Sequence, residues 1–345
     1  MPSIIETIAK ELNISTASVS RALNDRPGVS PELRMRILAE AERLNYAPSA
    51  NARGLATSQT FTVGFFVHEK PGLSTHTDPF YGEILAGAEQ TLARSAYHLA
   101  IASLTDDIFA NPASFRFTRE RRIDGMILAG PDIPSDFILA MIRTGQPVVL
   151  VDNRLEFSAA HSVCSDDEGG AYLAAQHLIR LGHRAIGMLS GPPNWWSNRR
   201  RVAGYQRAMA EAGLPASVVH AERTTIESGH AAFSRLIANG RAFTALCAVN
   251  DSMALGAIRS AREAGWRVPA DLSVVGFDDI AWASLNDPPL TTLSVPKRQM
   301  GSEAASRIMQ LLAGDDQAPT ALSLEVSLVE RASTAPPSPK GGEDY

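Results

Sequence analysis

Thr16, Ala17, Ser18 and Arg21 stand together on the outward face of a short helical pattern, and such a set of side chains can read DNA. Small residues let a helix enter the major groove, and an arginine can donate bidentately to guanine O6 and N7. A second set of polar residues recurs just after strand-like runs: Asp78 and Phe80, Asp152, Trp195 and Arg201, Asn250, and Asp278. Strand ends are where α/β folds bind ligands. Carboxylates, an amide and a guanidinium converging on one cleft can hydrogen-bond to vicinal hydroxyls, and aromatic faces can stack on sugar C–H surfaces. Each set also has a plainer reading. The helix pair fits an ordinary αα-corner, and a strand-end aspartate often only caps the next helix, which suits Asp251 and Asp279 better than Asp278. Trp195 and Trp196 fit packing at a lobe interface as well as ligand contact. The run Arg199–Arg201 would open a helix, where cations oppose the dipole, and so it hints at another task. His183, Trp266 and Trp282 read as structural.

The elements that must position the first set are legible. Ile8, Ala9 and Leu12 form the apolar stripe of one helix; Ser15 caps a second whose stripe is Val19, Ala22 and Leu23. Val29-Ser30-Pro31-Glu32 starts a third helix with a serine cap, proline at the first position and an acid in the first turn. It runs through Leu33, Ile37, Leu38, Ala41 and Leu44 until Pro48. Ser49 to Ala56 is a further short helix-like segment that is too short, and too weakened by Gly54, to fold except on a surface.

From Phe61 the texture changes. Runs at 61–67, 98–103, 125–129, 147–152, 185–190, 244–249 and 272–277 read as buried parallel strands. Helical stretches at 84–96, 170–181, 202–212, 254–264 and 299–313 lie between them. This alternation predicts a doubly wound α/β architecture, and its length calls for two lobes. Residues 57–60 read as the linker, and the Pro-, Gly- and Ser-rich stretch from 332 to 345 as a disordered tail.

The chain has 345 residues, 45% of them apolar and 20% charged, enough for two or three domains. No apolar run approaches membrane-spanning length, and no secretory leader precedes the first helix. Cys164 and Cys247 read as core residues of a reducing compartment, so the expected location is cytoplasmic. Neither a metal-ligand spacing, nor Gly-x-Gly-x-x-Gly after the first strand, nor a Gly-x-Ser-x-Gly elbow is present, so no cofactor and no enzyme activity are expected. Residues 1–60 carry seven basic and six acidic side chains, a net of +1 against −6 for the remainder. DNA binding by this segment would therefore show weak non-specific affinity and a shallow salt slope.

The ordered pattern Ile14-Ser15-x-x-Ser18-Val19-Ser20-Arg21-x-Leu23-Asn24, then Leu44-Asn45-Tyr46-x-Pro48, then Ala52-Arg53-Gly54-Leu55-Ala56 resembles the LacI/GalR bacterial transcription regulators over nearly the whole chain. One departure is that Ile4 stands where the family usually has a threonine cap, with Ser3 one residue early. The resemblance implies a helix-turn-helix headpiece over 1–47, a hinge helix and linker over 48–60, and a two-lobed, periplasmic-binding-protein-like body over 61–331. It implies DNA contacts from Thr16, Ala17, Ser18, Arg21, Asn24, Ser30, Arg34, Ser49 and Ala52, with Leu55 wedged into the minor groove. It places effector contacts at Asp78, Phe80, Asp152, Arg201, Asn250 and Asp278, to which the residue reading adds Trp195. Thr224 replaces an aromatic common in relatives, and Leu293–Pro296 lack the usual Gln or Asp. These departures leave the effector open, and the absence of an assured aromatic pair for a flat base favours a sugar over a purine. The partners implied are double-stranded operator DNA, a small-molecule effector and a second copy of the chain, with no membrane. The alternative from another class is a plain solute-binding receptor, which the N-terminal helices argue against.

Overall fold

Three helices form the N-terminal unit of the computed structural model, which describes residues 3–23, 26–46, 59–69, 77–157, 160–238, 243–315 and 318–338. Asn24, Ser49, Ala52 and Leu55, and with them the expected hinge helix, lie outside the described residues. Ser3 caps α1 (Ile4–Leu12) in a capping box: its hydroxyl accepts from Glu6 N while its own N–H donates to the Glu6 carboxylate. Serine at this register thus replaces the threonine the family pattern puts one position later. Asn13, in the left-handed region at φ 52°, ends the helix. Ser15 Oγ accepts from Ser18 N at 3.1 Å and starts α2 (Thr16–Leu23). Ser30 accepts from Leu33 N at 3.2 Å and, with Pro31, starts α3 (Pro31–Arg43). Ile8, Ala9, Val19, Ala22, Ile37 and Ala41 close into one core. Leu38 departs from the expected stripe and is 47% exposed.

The body holds two parallel sheets. The first has the order β11-β5-β4-β3-β1-β2 and joins β1 (Thr62–His68), β2 (His98–Leu104), β3 (Gly125–Ala129), β4 (Val148–Val151), β5 (His161–Ser165) and β11 (Ala321–Leu324). The second has the order β7-β6-β8-β9 and joins β6 (Ile186–Ser190), β7 (Val218–His220), β8 (Ala245–Ala248) and β9 (Ser273–Val275). β10 (Thr292–Ser294) and β12 (Ser327–Val329) pair antiparallel and lean on the end of β9. The body's helices of eight residues or more, among those described, are α4 (Tyr81–Leu92), α5 (Ser135–Ile142), α6 (Asp167–Arg180), α7 (Trp196–Glu211), α8 (Ile226–Ala238), α9 (Asp251–Glu263) and α10 (Lys297–Leu312).

Three chain segments pass between the lobes. β5 runs into α6, which packs on α7 in the second lobe; β10 leads into α10, which returns to pack on α4; and β11 leads to β12. The α4–α10 contact is close because glycines face backbone. A Cβ on Gly87 would sit 2.0 Å from Arg298 O, and one on Gly301 1.8 Å from Ile84 O.

The expectation of a disordered tail from 332 is corrected for residues 332–338. Ser333 is fully buried, donates to Val274 O at 2.6 Å and accepts from Thr291 N at 2.8 Å. Val274 N donates to Ser333 O, so the segment covers the edge of β9. Ala335 O lies 2.8 Å from His183 Nε2, and Thr334 Oγ1 lies 3.0 Å from His177 Nε2. Composition signals disorder where apolar side chains are scarce, but this segment is held by its backbone and hydroxyls.

Candidate ligand and DNA-binding sites

On the headpiece, Thr16, Ala17 and Arg21 are exposed and Ser18 half-buried, on the side of α2 opposite Val19 and Ala22. The aliphatic stem of Arg21 lies near Gly28, whose φ of +96° lets the chain turn past it. Ser30 is engaged as the α3 cap, and the Arg34 guanidinium donates to Arg26 O at 2.6 Å. These two therefore hold the loop between α2 and α3 in place. Replacing Arg21 with alanine is expected to relax the preference for one base pair and to cost about 1–3 kcal/mol of binding. The check is affinity across single-base operator variants; uniform weakening would make Arg21 a phosphate contact instead.

In the body, the charged residues meet where the lobes join. Arg201, one turn into α7, is 5% exposed and faces inward. Its Nε donates to Asp167 Oδ1 at 2.9 Å, and Nη1 donates to Val249 O and to Asp278 Oδ1 at 3.2 Å. Its guanidinium lies 3.7 Å from the centre of the Phe277 ring. Arg199 and Arg200 turn outward to Glu156 and Glu168. The arginine run at a helix start thus has divided tasks, and only Arg201 serves the interior. Asp152, at the end of β4 with φ 54°, accepts from the Tyr81 hydroxyl at 2.8 Å and completes the acidic group from the first lobe.

Burial pushes the carboxyl of Asp152 up to about 7, with the Asp167 charge adding to the shift and Arg201 opposing it. Burial likewise raises Asp278 to about 7 against the pull of Arg201. Burial also pushes the Tyr81 phenol well above its ordinary value. The arrangement is a buried acidic cluster around the Arg201 guanidinium, and Asp167 Oδ2 is a buried oxygen with no hydrogen-bond partner. Such an oxygen is an open acceptor for a donor group.

The remaining expected contacts sit nearby in other roles. Asp78 accepts from Phe80 N and Tyr81 N at 2.9 and 3.0 Å and so starts α4, with Phe80 buried edge-on against Tyr81. Asn250 caps α9 by accepting from Met253 N, and its amide donates to Thr224 O. Asp251 is therefore not the cap expected. It is fully buried, accepting from Ile280 N and the Thr292 hydroxyl, and burial raises its carboxyl to about 7. Asp279 is no cap either: Ile280 stands at the cap of the short helix Ala281–Leu285, and Asp279 pairs with Arg331 at 2.7 Å. Trp195 stands half-buried at the start of α7, while the ring that gathers cations is Trp196, under Arg154 at 5.2 Å. Arg154 and Glu156 belong to the first lobe and Trp196 and Arg199 to the second, so these contacts bridge the cleft rim.

Three participants escaped sequence reasoning. Asp167 hides beside Asp166, which caps α6. Tyr81 follows the quoted Asp78–Phe80 motif but is the residue that reaches Asp152. Lys297, 5% exposed at the start of α10, donates to Asp278 O at 2.6 Å and Asp279 O at 3.0 Å. It thereby ties the return crossover to the loop that carries Asp278.

A three-helix headpiece with an outward-facing recognition-type helix, joined to a two-lobed α/β body with a buried charged site between its lobes, defines a DNA-binding protein fused to a small-ligand receptor. The family profile described as "Bacterial regulatory proteins, lacI family" matches residues 4–49, and that of a "Periplasmic binding protein-like domain" matches residues 175–334. The HTH-type transcriptional repressor PurR of Photobacterium profundum is 32% identical over 95% of this chain and 98% of its own length. The lac repressor dimer bound to operator and the anti-inducer ONPF superposes with a TM-score of 0.80 at 27% identity, covering 97% of this chain and 100% of that one. The transcriptional regulator CelR in complex with cellobiose gives 0.71 at 29% identity, over 96% and 100% of the two chains. The chain belongs to the LacI family of bacterial regulatory proteins and is a DNA-binding transcription regulator. Among the described residues no helix is long and apolar enough to cross a membrane.

Proposed function

We propose that the chain is a homodimeric repressor whose hold on a two-fold operator is set by a neutral, polyhydroxylated effector, a sugar, bound between the lobes. The observation that supports this most is the buried group of Arg201, Asp167, Asp278 and Asp152. It draws on both lobes, so a ligand bridging it would favour one lobe arrangement over the other. Its acidic excess disfavours anionic ligands, and the unpartnered Asp167 oxygen suits a hydroxyl donor. The cellobiose held by CelR is a ligand of this chemistry. Thr16, Ala17, Ser18 and Arg21 would read one half-site in each copy, with two copies matching a pseudopalindrome. Asp78, Phe80, Trp195 and Asn250 would line or brace the cleft. The relatives are repressors rather than enzymes, and a cytoplasmic, non-catalytic role goes with this reading.

The test has two stages. Selection of duplexes from a random pool with the full chain yields an operator; a panel of sugars and nucleobases is then screened for its release or tightening. By linkage, operator must change effector affinity by the same factor that effector changes operator affinity. Equal effector affinities with and without operator would remove the allosteric claim. Asp278→Ala is expected to abolish the response while leaving operator affinity within about twofold, since the headpiece is untouched. A retained response would exclude Asp278 from the site.

A further inference from the structure

The chain enters the body from the linker through an unusual joint. Phe61 is a bulky residue in the left-handed region, at φ +51°. Just before that turn, the successive backbone N–H groups of Thr60 and Phe61 converge on one point, a donor pair that suits an anion. The anion present is the Asp124 carboxylate. Thr60 N donates to its Oδ1 at 2.7 Å and Oδ2 at 3.0 Å, Phe61 N to Oδ2 at 2.8 Å, and the Thr60 hydroxyl to Oδ1 at 3.0 Å. Asp124 is itself fixed, because it directly precedes β3 and its N–H donates to Thr62 O at 2.8 Å. The Phe61 ring rests on Tyr97 at 5.6 Å, and Phe61 O accepts from His98 N.

This joint is at one end of the same two strands whose other end serves the ligand cleft. β1 and β3 pair from Val63–Gly125 to Val67–Ala129; just beyond the far end of β3 lies Gly130, next to the Tyr81 hydroxyl that meets Asp152. Seven residues of strand span about 20 Å, and paired strands in a buried sheet move as a unit.

We propose that the Asp124 carboxylate fixes the direction in which the linker leaves the body, and thereby sets the half-site spacing that the dimer accepts. A carboxylate has acceptors enough for both N–H groups and the hydroxyl; without it Phe61 would relax toward an extended conformation and the exit direction would no longer be defined. The inference rests on the dimeric DNA-binding reading above.

The test uses the full chain and the operator that it selects, together with operators carrying one inserted or one deleted central base pair. For the unmodified protein, a one-base-pair change is expected to weaken binding by about tenfold or more. For Asp124→Ala the same change should cost less than about threefold, with loss on the matched operator kept below about tenfold. Asp124→Asn keeps one acceptor oxygen but presents amide hydrogens to the Phe61 N–H, and its spacing penalty should fall between the two. It carries the test if Asp124→Ala melts below the assay temperature. A merely structural role would lower the melting temperature and leave the spacing penalty unchanged in both variants, which overturns the proposal. An absence of any spacing penalty in the unmodified protein would overturn the dimeric reading beneath it.

Discussion

Replacing Arg201 with methionine is expected to destabilise the body by about 3–5 kcal/mol near pH 8 and to abolish ligand binding. Methionine fills much of the volume but donates nothing. Asp167 and Asp278 would lose their shared cation, Val249 O a donor, and Phe277 the guanidinium stacked on its face. The stabilisation lost is then chiefly the cost of leaving buried carboxylates unpaired, which exceeds the net worth of the pairs themselves. That cost depends on pH in a definite direction. Without Arg201 the folded-state value of Asp278, already raised by burial, rises further above the unfolded one. A group raised in this way retains its stability contribution below the unfolded value and loses it as pH climbs toward the folded value. The deficit of Arg201→Met relative to the unmodified protein should accordingly shrink at pH 5 and be largest at pH 8. Arg201→Lys keeps a positive charge but not the forked geometry that reaches two carboxylates and a carbonyl, and should fall between. Denaturant unfolding of the three proteins at both pH values measures this. A loss below about 1 kcal/mol at pH 8 would mean that Arg201 contributes no more than a surface ion pair.

Arg201, Asp152 and Asp278 were legible because α/β folds present strand ends and the next helix start at one face, and each of these residues stands at such a place. Asp167 and Tyr81 stand at helix starts too, but beside residues with an evident local role: Asp166 as a cap, and Asp78 holding the start of α4. Nothing local distinguishes the neighbour that reaches across the cleft. Lys297 was opaque for a different reason. Its partners are carbonyls 18 and 19 positions away, brought beneath it by the β10–α10 crossover, and no periodicity encodes that. The central strands announced themselves by apolar, β-branched runs, whereas β5 reads His-Ser-Val-Cys-Ser and shows only as a strand-like segment around Cys164, without bounds. It is nonetheless buried throughout, because it lies between β4 and β11 and its polar groups are met within the lobe. His161, for example, hydrogen-bonds with Thr320 and Arg307. The strands β7, β10 and β12 have three residues each, too few for alternation to register. The headpiece was the clearest part, since caps and apolar stripes are local and all three helices use them.

The unmodified body is expected to lose stability as pH rises from about 4 to 7, and to bind its effector more tightly over 6 to 8. Asp152, Asp251 and Asp278 are all pushed from an ordinary value of 3.8 to about 7 by burial. In that interval the folded protein holds protons that the unfolded chain has released, so stability falls with pH and levels off above the folded values. His68 acts in the same direction near neutrality, since its hydrogen bond to Asp132 raises its value and its contribution fades as pH climbs past it. His177 and His183 act the other way. Burial lowers both, so their penalty for remaining neutral is felt at low pH and vanishes above about 6.5. The surface carboxylates Glu120 and Asp271, held down to about 2 by arginine partners, lose their contribution only below pH 4 and leave the window untouched. The effector adds a further coupling. Hydroxyl donors are best received by ionised carboxylates, so binding should expel protons from Asp152 and Asp278, and affinity should rise by up to tenfold per pH unit for each proton released. Calorimetric titrations at fixed pH in buffers of different ionisation enthalpy count those protons directly. Asp278→Asn removes one titrating group and should flatten both curves, the stability profile as well as whatever affinity slope survives. An effector affinity that is level from pH 6 to 8 in the unmodified protein would mean that the ligand meets these groups as neutral acids. The recognition logic would then reverse, with the two carboxyls donating to the effector and Arg201 serving only to hold Asp167 in place.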